Sequence, residues 1–135
     1  MKEATEALQH KGIKPTPNRI LVLKALMEAR YPMSLNELEQ TIGTMDRSSI
    51  FRVLTLFYQS DVVHGIEDGS GSMKYEFCHS DTHCSIDDMH PHFYCERCHR
   101  TYCLDDSPIP RVNLPEGFIA HSANYIIKGL CPDCV

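Results

Sequence analysis

A chain of 135 residues with a formal net charge of −5 suits one compact domain or two small ones, and its acidity counts against non-specific nucleic-acid binding by the molecule as a whole. Its 42% apolar content includes no long apolar run, which excludes a membrane-spanning helix. The opening residues MKEATEALQH lack the apolar core of a secretory signal, so a cytoplasmic protein is expected. Seven cysteines in such a chain point to metal or thiol chemistry rather than a disulfide framework.

Charge and cysteine divide the sequence. Residues 1–60 carry eight Lys/Arg against six Asp/Glu, whereas residues 61–135 carry five against twelve. Six of the seven cysteines lie beyond residue 80, and none precedes Cys78. A mildly basic, cysteine-free front half joined to an acidic, Cys/His-rich back half reads as two modules, 1–80 and 81–135.

In chain order, residues 3–10 form a short helix that ends before Gly12. Thr16 suits an N-cap and Pro17 the first helical position. Ile20, Leu23 and Met27 then repeat at helical spacing until Tyr31-Pro32 stops the run. Ser34-Leu35-Asn36-Glu37 is a capping box, opening a helix with Leu35, Leu38 and Ile42 on its buried stripe, closed by Gly43. Asp46 can cap the next helix, where Ile50, Val53, Leu54 and Phe57 share one face. Arg47, Ser48, Phe51, Arg52 and Thr55 crowd the other side.

Two short helices joined by a tight turn, the second with a basic, hydroxyl-bearing face, describe a helix-turn-helix. Such a helix can enter the major groove of double-stranded DNA, with Arg reaching guanine edges or phosphates and Ser/Thr bonding either. Residues 62–66 and 73–77 are strand-like around the turn segment 67–72, giving a winged helix. Lys74 on the wing, with Lys14 and Arg19 on the other flank, can touch phosphate. The DNA-contacting set is therefore Lys14, Arg19, Arg47, Ser48, Ser49, Phe51, Arg52 and Lys74.

Four cysteines of the back half fall in two Cys-x-x-Cys pairs, Cys95/Cys98 and Cys131/Cys134. Two such pairs can place four thiolates at the corners of a tetrahedron, the geometry of a closed, structural zinc site. Between them, Pro108, Pro110 and Pro115 break any helix over Asp105 to Gly117, and Phe118 to Ile127 can supply the strand before the last pair. His90-Pro91-His92 puts two imidazoles on one side of an extended strand.

A winged helix followed by His-x-His-x-x-Cys-x-x-Cys and a later Cys-x-x-Cys resembles the ferric uptake regulator family of metal-dependent bacterial repressors. The matching segments are residues 12–19 (GIKPTPNR), 49–54 (SIFRVL), 90–98 (HPHFYCERC) and 129–134 (GLCPDC), in the family's order. The resemblance implies an α+β protein with an N-terminal winged-helix domain and a small α/β dimerisation domain. It implies a homodimer on operator DNA, structural zinc on the four paired cysteines, and a regulatory metal near the hinge.

The family's oxygen-rich iron site is depleted here. Residues 31–33 (YPM) offer no histidine where iron-type members supply one, and Cys103 stands where an acidic ligand is usual. What remains looks more like the zinc-sensing members, with His64, Cys78, His90 and His92 as the regulatory set. Cys103, Cys84 or His83 could replace one of these. The expected function is a zinc-responsive repressor. The alternative within the family is an iron-, peroxide- or haem-responsive regulator, in which Fe²⁺ would be the second metal. An enzyme is not expected. A zinc hydrolase needs an open coordination position with a general base nearby, and no His-Glu-x-x-His or His-x-Glu motif is present.

Overall fold

A computed structural model describes residues 2–78 and 90–135. The chain divides into two compact units, Met1–His83 and Cys84–Val135.

The first unit opens with four helices: α1 (Lys2–His10), α2 (Pro17–Glu28), α3 (Leu35–Ile42) and α4 (Arg47–Gln59). Local chemistry sets their ends. The Thr16 hydroxyl accepts the Arg19 N–H at the start of α2, with Pro17 in the first turn. Ser34 and Glu37 form the reciprocal capping box of α3, and Gly43, at φ +72°, closes that helix in the left-handed conformation glycine tolerates. Asp46 caps α4 through Ser49, whose hydroxyl and backbone N–H hold the Asp46 carboxyl below its ordinary value.

The core gathers one stripe from each helix. Ala4 and Leu8 of α1, Val22, Leu23 and Leu26 of α2, Leu38 of α3, and Ile50, Leu54 and Phe57 of α4 are buried together. Fully burying each large side chain contributes roughly 1.5–3 kcal/mol, so this cluster fixes the angle at which α4 is presented. Ile20 and Met27, expected in the α2 core, are only partly buried, and Val22 and Leu26 take the deeper places.

A small sheet in the order β1-β3-β2 completes the unit: β1 (Met33–Ser34), β2 (Val63–Ile66) and β3 (Lys74–Phe77), all antiparallel neighbours. The two-residue β1 was not legible in the sequence, being too short to show alternation. Ser34 serves twice, capping α3 and pairing with Lys74 of the wing. Helix α3 and the β2–β3 hairpin are thereby tied at one residue.

Lys74 corrects an expectation. It is buried, and its ammonium lies 2.5 Å from the Asp68 carboxylate, whose side chain has no exposure. Asp68 also accepts the Ser70 N–H at 2.9 Å. The lysine sits inside the β2–β3 hairpin, locking its turn, and does not face phosphate.

The second unit holds one three-stranded sheet in the order β5-β4-β6: β4 (His92–Cys95), β5 (Thr101–Cys103) and β6 (Ile126–Gly129). β5 runs antiparallel to β4, and β6 runs parallel to it. The strand expected over 118–127 is confined to β6, starting at Ile126, and residues 104–125 contain no helix, in keeping with their prolines. Among the described residues, no helix is long and apolar enough to cross a membrane.

Asp68→Ala should leave the Lys74 ammonium buried without its carboxylate and destabilise the first unit by about 3–5 kcal/mol. Replacing both residues together by apolar ones should recover most of that loss. Urea unfolding of the two variants measures the difference, and equal losses would show that the pair does not lock the wing.

Candidate functional site

Strand β4 builds two ligand clusters by simple alternation. Successive side chains of a strand point to opposite faces. His92 therefore faces one way, while Cys95, three residues on, faces the other.

The first cluster lies at the end of the sheet. The sulfur atoms of Cys95, Cys98, Cys131 and Cys134 all lie within 4.8 Å of one another. Cys95 pairs with Gly129 across β4 and β6, so the strand register brings the two Cys-x-x-Cys turns side by side. The Glu96 N–H donates to the Gly129 carbonyl at 2.8 Å, and the Arg97 guanidinium donates to the Cys134 carbonyl at 2.5 Å. These bonds join the two turns through backbone as well as ligands.

The Sγ atoms of Cys98 and Cys131 are 3.8 Å apart. A tetrahedron with Zn–S bonds near 2.3 Å has an edge of about 3.8 Å, so the donor set and spacing fit Zn²⁺. Cys95 and Cys131 are buried, whereas Cys98 is exposed.

The surroundings of Cys95 and Cys131 favour thiolate. Burial pushes the Cys95 thiol up, but the backbone N–H groups of Cys98 (3.5 Å) and Cys131 (3.4 Å), with that of Arg97, outweigh burial and bring it down to about 5. Cys131 is lowered chiefly by the Tyr102 phenol, despite its burial. The same contact raises Tyr102 to about 12. Cys134 rises to about 12, chiefly because it shares hydrogen bonding with Cys131. A metal ion, needing all four as thiolates, would displace the Cys134 proton. The roles of Tyr102 and Arg97 were not read from the sequence, since a tyrosine or arginine beside a metal motif carries no spacing signal.

The second cluster joins His90, His92 and Cys103. Their ligand atoms also lie within 4.8 Å of one another. Cys103 of β5 stands directly opposite His92 of β4, and His90 precedes His92 by one period of alternation. The two imidazole centroids are 4.6 Å apart. His92 is buried, while His90 and Cys103 are half-buried. His90 Nε2 lies 3.4 Å from Asp105 Oδ1. Two imidazoles and one thiolate suit a borderline-soft divalent cation.

The remaining expected ligands are placed differently. His64 sits on β2, paired opposite Glu76 of β3, so the wing carries an imidazole and a carboxylate side by side; the carboxylate was not singled out in the sequence. Cys78 is buried and disulfide-bonded. A metal needs a thiolate, so Cys78 in this state is no ligand, which corrects its assignment. His83 and Cys84 lie outside the described residues.

The expected DNA face of α4 separates into two sets. Arg52, Phe51, Ser48 and Thr55 are exposed, with Phe51 at 52%. Arg47 is held by the Asn36 side chain and lies 3.9 Å from Glu39, and Ser49 is occupied by the Asp46 cap. Arg19 donates to the Lys14 carbonyl at 2.9 Å, closing the loop that leads into α2.

The sequence model of the ferric uptake regulator family matches residues 10–116. The peroxide operon regulator of Bacillus subtilis (strain 168) is 25% identical over 99% of this chain and 92% of its own. Among solved structures, the ferric uptake regulator of Vibrio cholerae superposes with a TM-score of 0.66 at 19% identity, covering 94% of this chain and 98% of its own. A zinc uptake regulator in complex with zinc and DNA superposes with a TM-score of 0.65 at 17% identity, covering 98% of this chain and 90% of its own. At these identities the structural matches speak for the fold.

Cys98→Ser should lower the zinc content of the purified chain by one equivalent and destabilise the second unit, measured by metal analysis alongside thermal unfolding. Unchanged zinc stoichiometry in a folded variant would contradict a four-thiolate centre.

Proposed function

Since the chain belongs to the ferric uptake regulator family, and is on that footing a metal-responsive transcriptional regulator, we propose that it is a zinc-responsive repressor that binds operator DNA as a homodimer. Cys95, Cys98, Cys131 and Cys134 hold a structural Zn²⁺. His90, His92 and Cys103 hold the regulatory Zn²⁺. Arg52, Ser48 and Phe51 of α4 read the operator.

The observation that carries the zinc reading is the donor set of the second cluster. Two imidazoles meet a cysteine sulfur there, and a thiolate ligand favours Zn²⁺ over Fe²⁺. Bound metal supplies a cross-link among these three side chains. An ion that prefers the DNA-competent state of the protein raises that state's population in proportion to its preference. The homodimer draws support from the second unit's surface, where Val112, Leu114, Phe118, Ile119 and Ile127 are all exposed.

A peroxide-responsive reading rests on the name of the Bacillus relative. Peroxide chemistry at a metal needs Fe²⁺, which prefers oxygen donors, and the second unit offers a sulfur in their place. Zinc-dependent binding that persists after peroxide treatment separates the two readings.

Two variants test the proposal on a duplex selected from a random-sequence pool. Arg52→Ala should weaken binding about tenfold or more at every zinc concentration, with a shallower salt dependence if the guanidinium meets phosphate. His90→Ala should bind that duplex poorly whether or not zinc is added, while keeping one tightly held zinc. A zinc response intact in His90→Ala would remove the second cluster from the mechanism.

A further inference from the structure

Cys103 is half-buried and stands directly opposite His92 in the β4–β5 ladder, with its sulfur in the same 4.8 Å cluster as the imidazole nitrogens of His90 and His92. It is the softest donor in that cluster. We propose that Cys103 is the specificity-determining residue of the regulatory centre: this single thiolate sets the site to zinc, and a carboxylate in its place would open it to Fe²⁺ and Mn²⁺. The inference rests on the reading of His90, His92 and Cys103 as the regulatory ligands.

The neighbouring structure argues for a single point of control. The imidazoles are hard to vary, because His92 is buried and His90 is packed against it with Asp105 at its Nε2. Imidazole also serves Zn²⁺, Fe²⁺ and Ni²⁺ alike, so the pair discriminates little. A thiolate gains more from a borderline-soft ion than from a hard one, while a carboxylate gains comparably from both. Cys103 is the last residue of β5 and half-buried, and the exposed residues 105–107 follow it closely, so aspartate there lies near water. Asp105, exposed and 3.4 Å from His90 Nε2, can share in a site of more oxygen character.

The test uses the full-length dimer with its structural zinc in place, titrated anaerobically with Co²⁺, Zn²⁺ and Mn²⁺ as the metals alone. Zinc analysis throughout checks that one zinc per chain is retained. In the parent protein the second equivalent should be Co²⁺ carrying a near-ultraviolet thiolate-to-metal absorption. Cys103→Asp should still bind Co²⁺ but lose that absorption. Its preference for Zn²⁺ over Mn²⁺ should fall by about tenfold or more. Cys103→Ser, which keeps the size of the side chain, should lose the absorption and weaken Zn²⁺, and circular dichroism of both variants checks folding. A Co²⁺-bound parent with no thiolate absorption from the second equivalent, or an unchanged preference in Cys103→Asp, overturns the inference while leaving the regulatory centre intact. Absence of any second equivalent in the parent overturns the regulatory centre itself.

Discussion

Thiol burial is the constraint on which the second unit depends. Apart from the cysteines, the large hydrophobics there are mostly exposed, with Ile119 at 81%. Among its described residues, Tyr94, Cys95 and Cys131 are buried, joined by His92 and Thr101. The interior of this unit is thus built largely from candidate metal ligands and the residues that flank them. A unit this small, with so little apolar area removed from water, needs a further source of stability, and a structural metal is a usual one. Four thiolates around Zn²⁺ would supply it, because ligands and sheet register are fixed together: Cys95 is at once a ligand, a strand residue and the partner of Gly129.

The same sheet explains how one short segment can serve two centres without mixing them. β4 delivers Cys95 to one face and His92 to the other, and β5 brings Cys103 to the His92 face. The four-thiolate centre is closed, with every tetrahedral corner taken by protein, as structural zinc sites are. The His90–His92–Cys103 cluster is only half-buried at His90 and Cys103, which suits the exchangeable ion proposed for it. In the first unit the corresponding economy is Ser34, which caps α3 and pairs with the wing. The start of α3 and the position of the hairpin therefore share one anchor.

Most helix boundaries were legible in the sequence because their signals are local. Thr16-Pro17, Ser34 with Glu37, and Asp46 before α4 each satisfy backbone N–H groups within three residues, and each acts in the structure as its chemistry predicts. The Cys-x-x-Cys spacings were legible for the same reason. Long-range placement was not. Lys74 looked like a phosphate contact until Asp68, six residues away, took its ammonium into the hairpin. Cys78 looked like a ligand because sequence spacing cannot distinguish a thiol from half of a disulfide. Cys103 was an alternative ligand in the sequence, and it is the β4–β5 register, which no spacing rule supplies, that sets it opposite His92. Tyr102 reaches Cys131 by the same tertiary route.

The central claim is that filling the second centre and binding DNA are one coupled equilibrium. Linkage requires the coupling to be reciprocal: the factor by which zinc raises DNA affinity must equal the factor by which DNA raises zinc affinity. The direct measurement is the affinity of the second zinc equivalent, in metal buffers, with and without a saturating operator duplex. The account predicts that the duplex tightens that equivalent by about 5–150-fold, matching the gain in DNA affinity. A second equivalent bound equally well with and without DNA would contradict it.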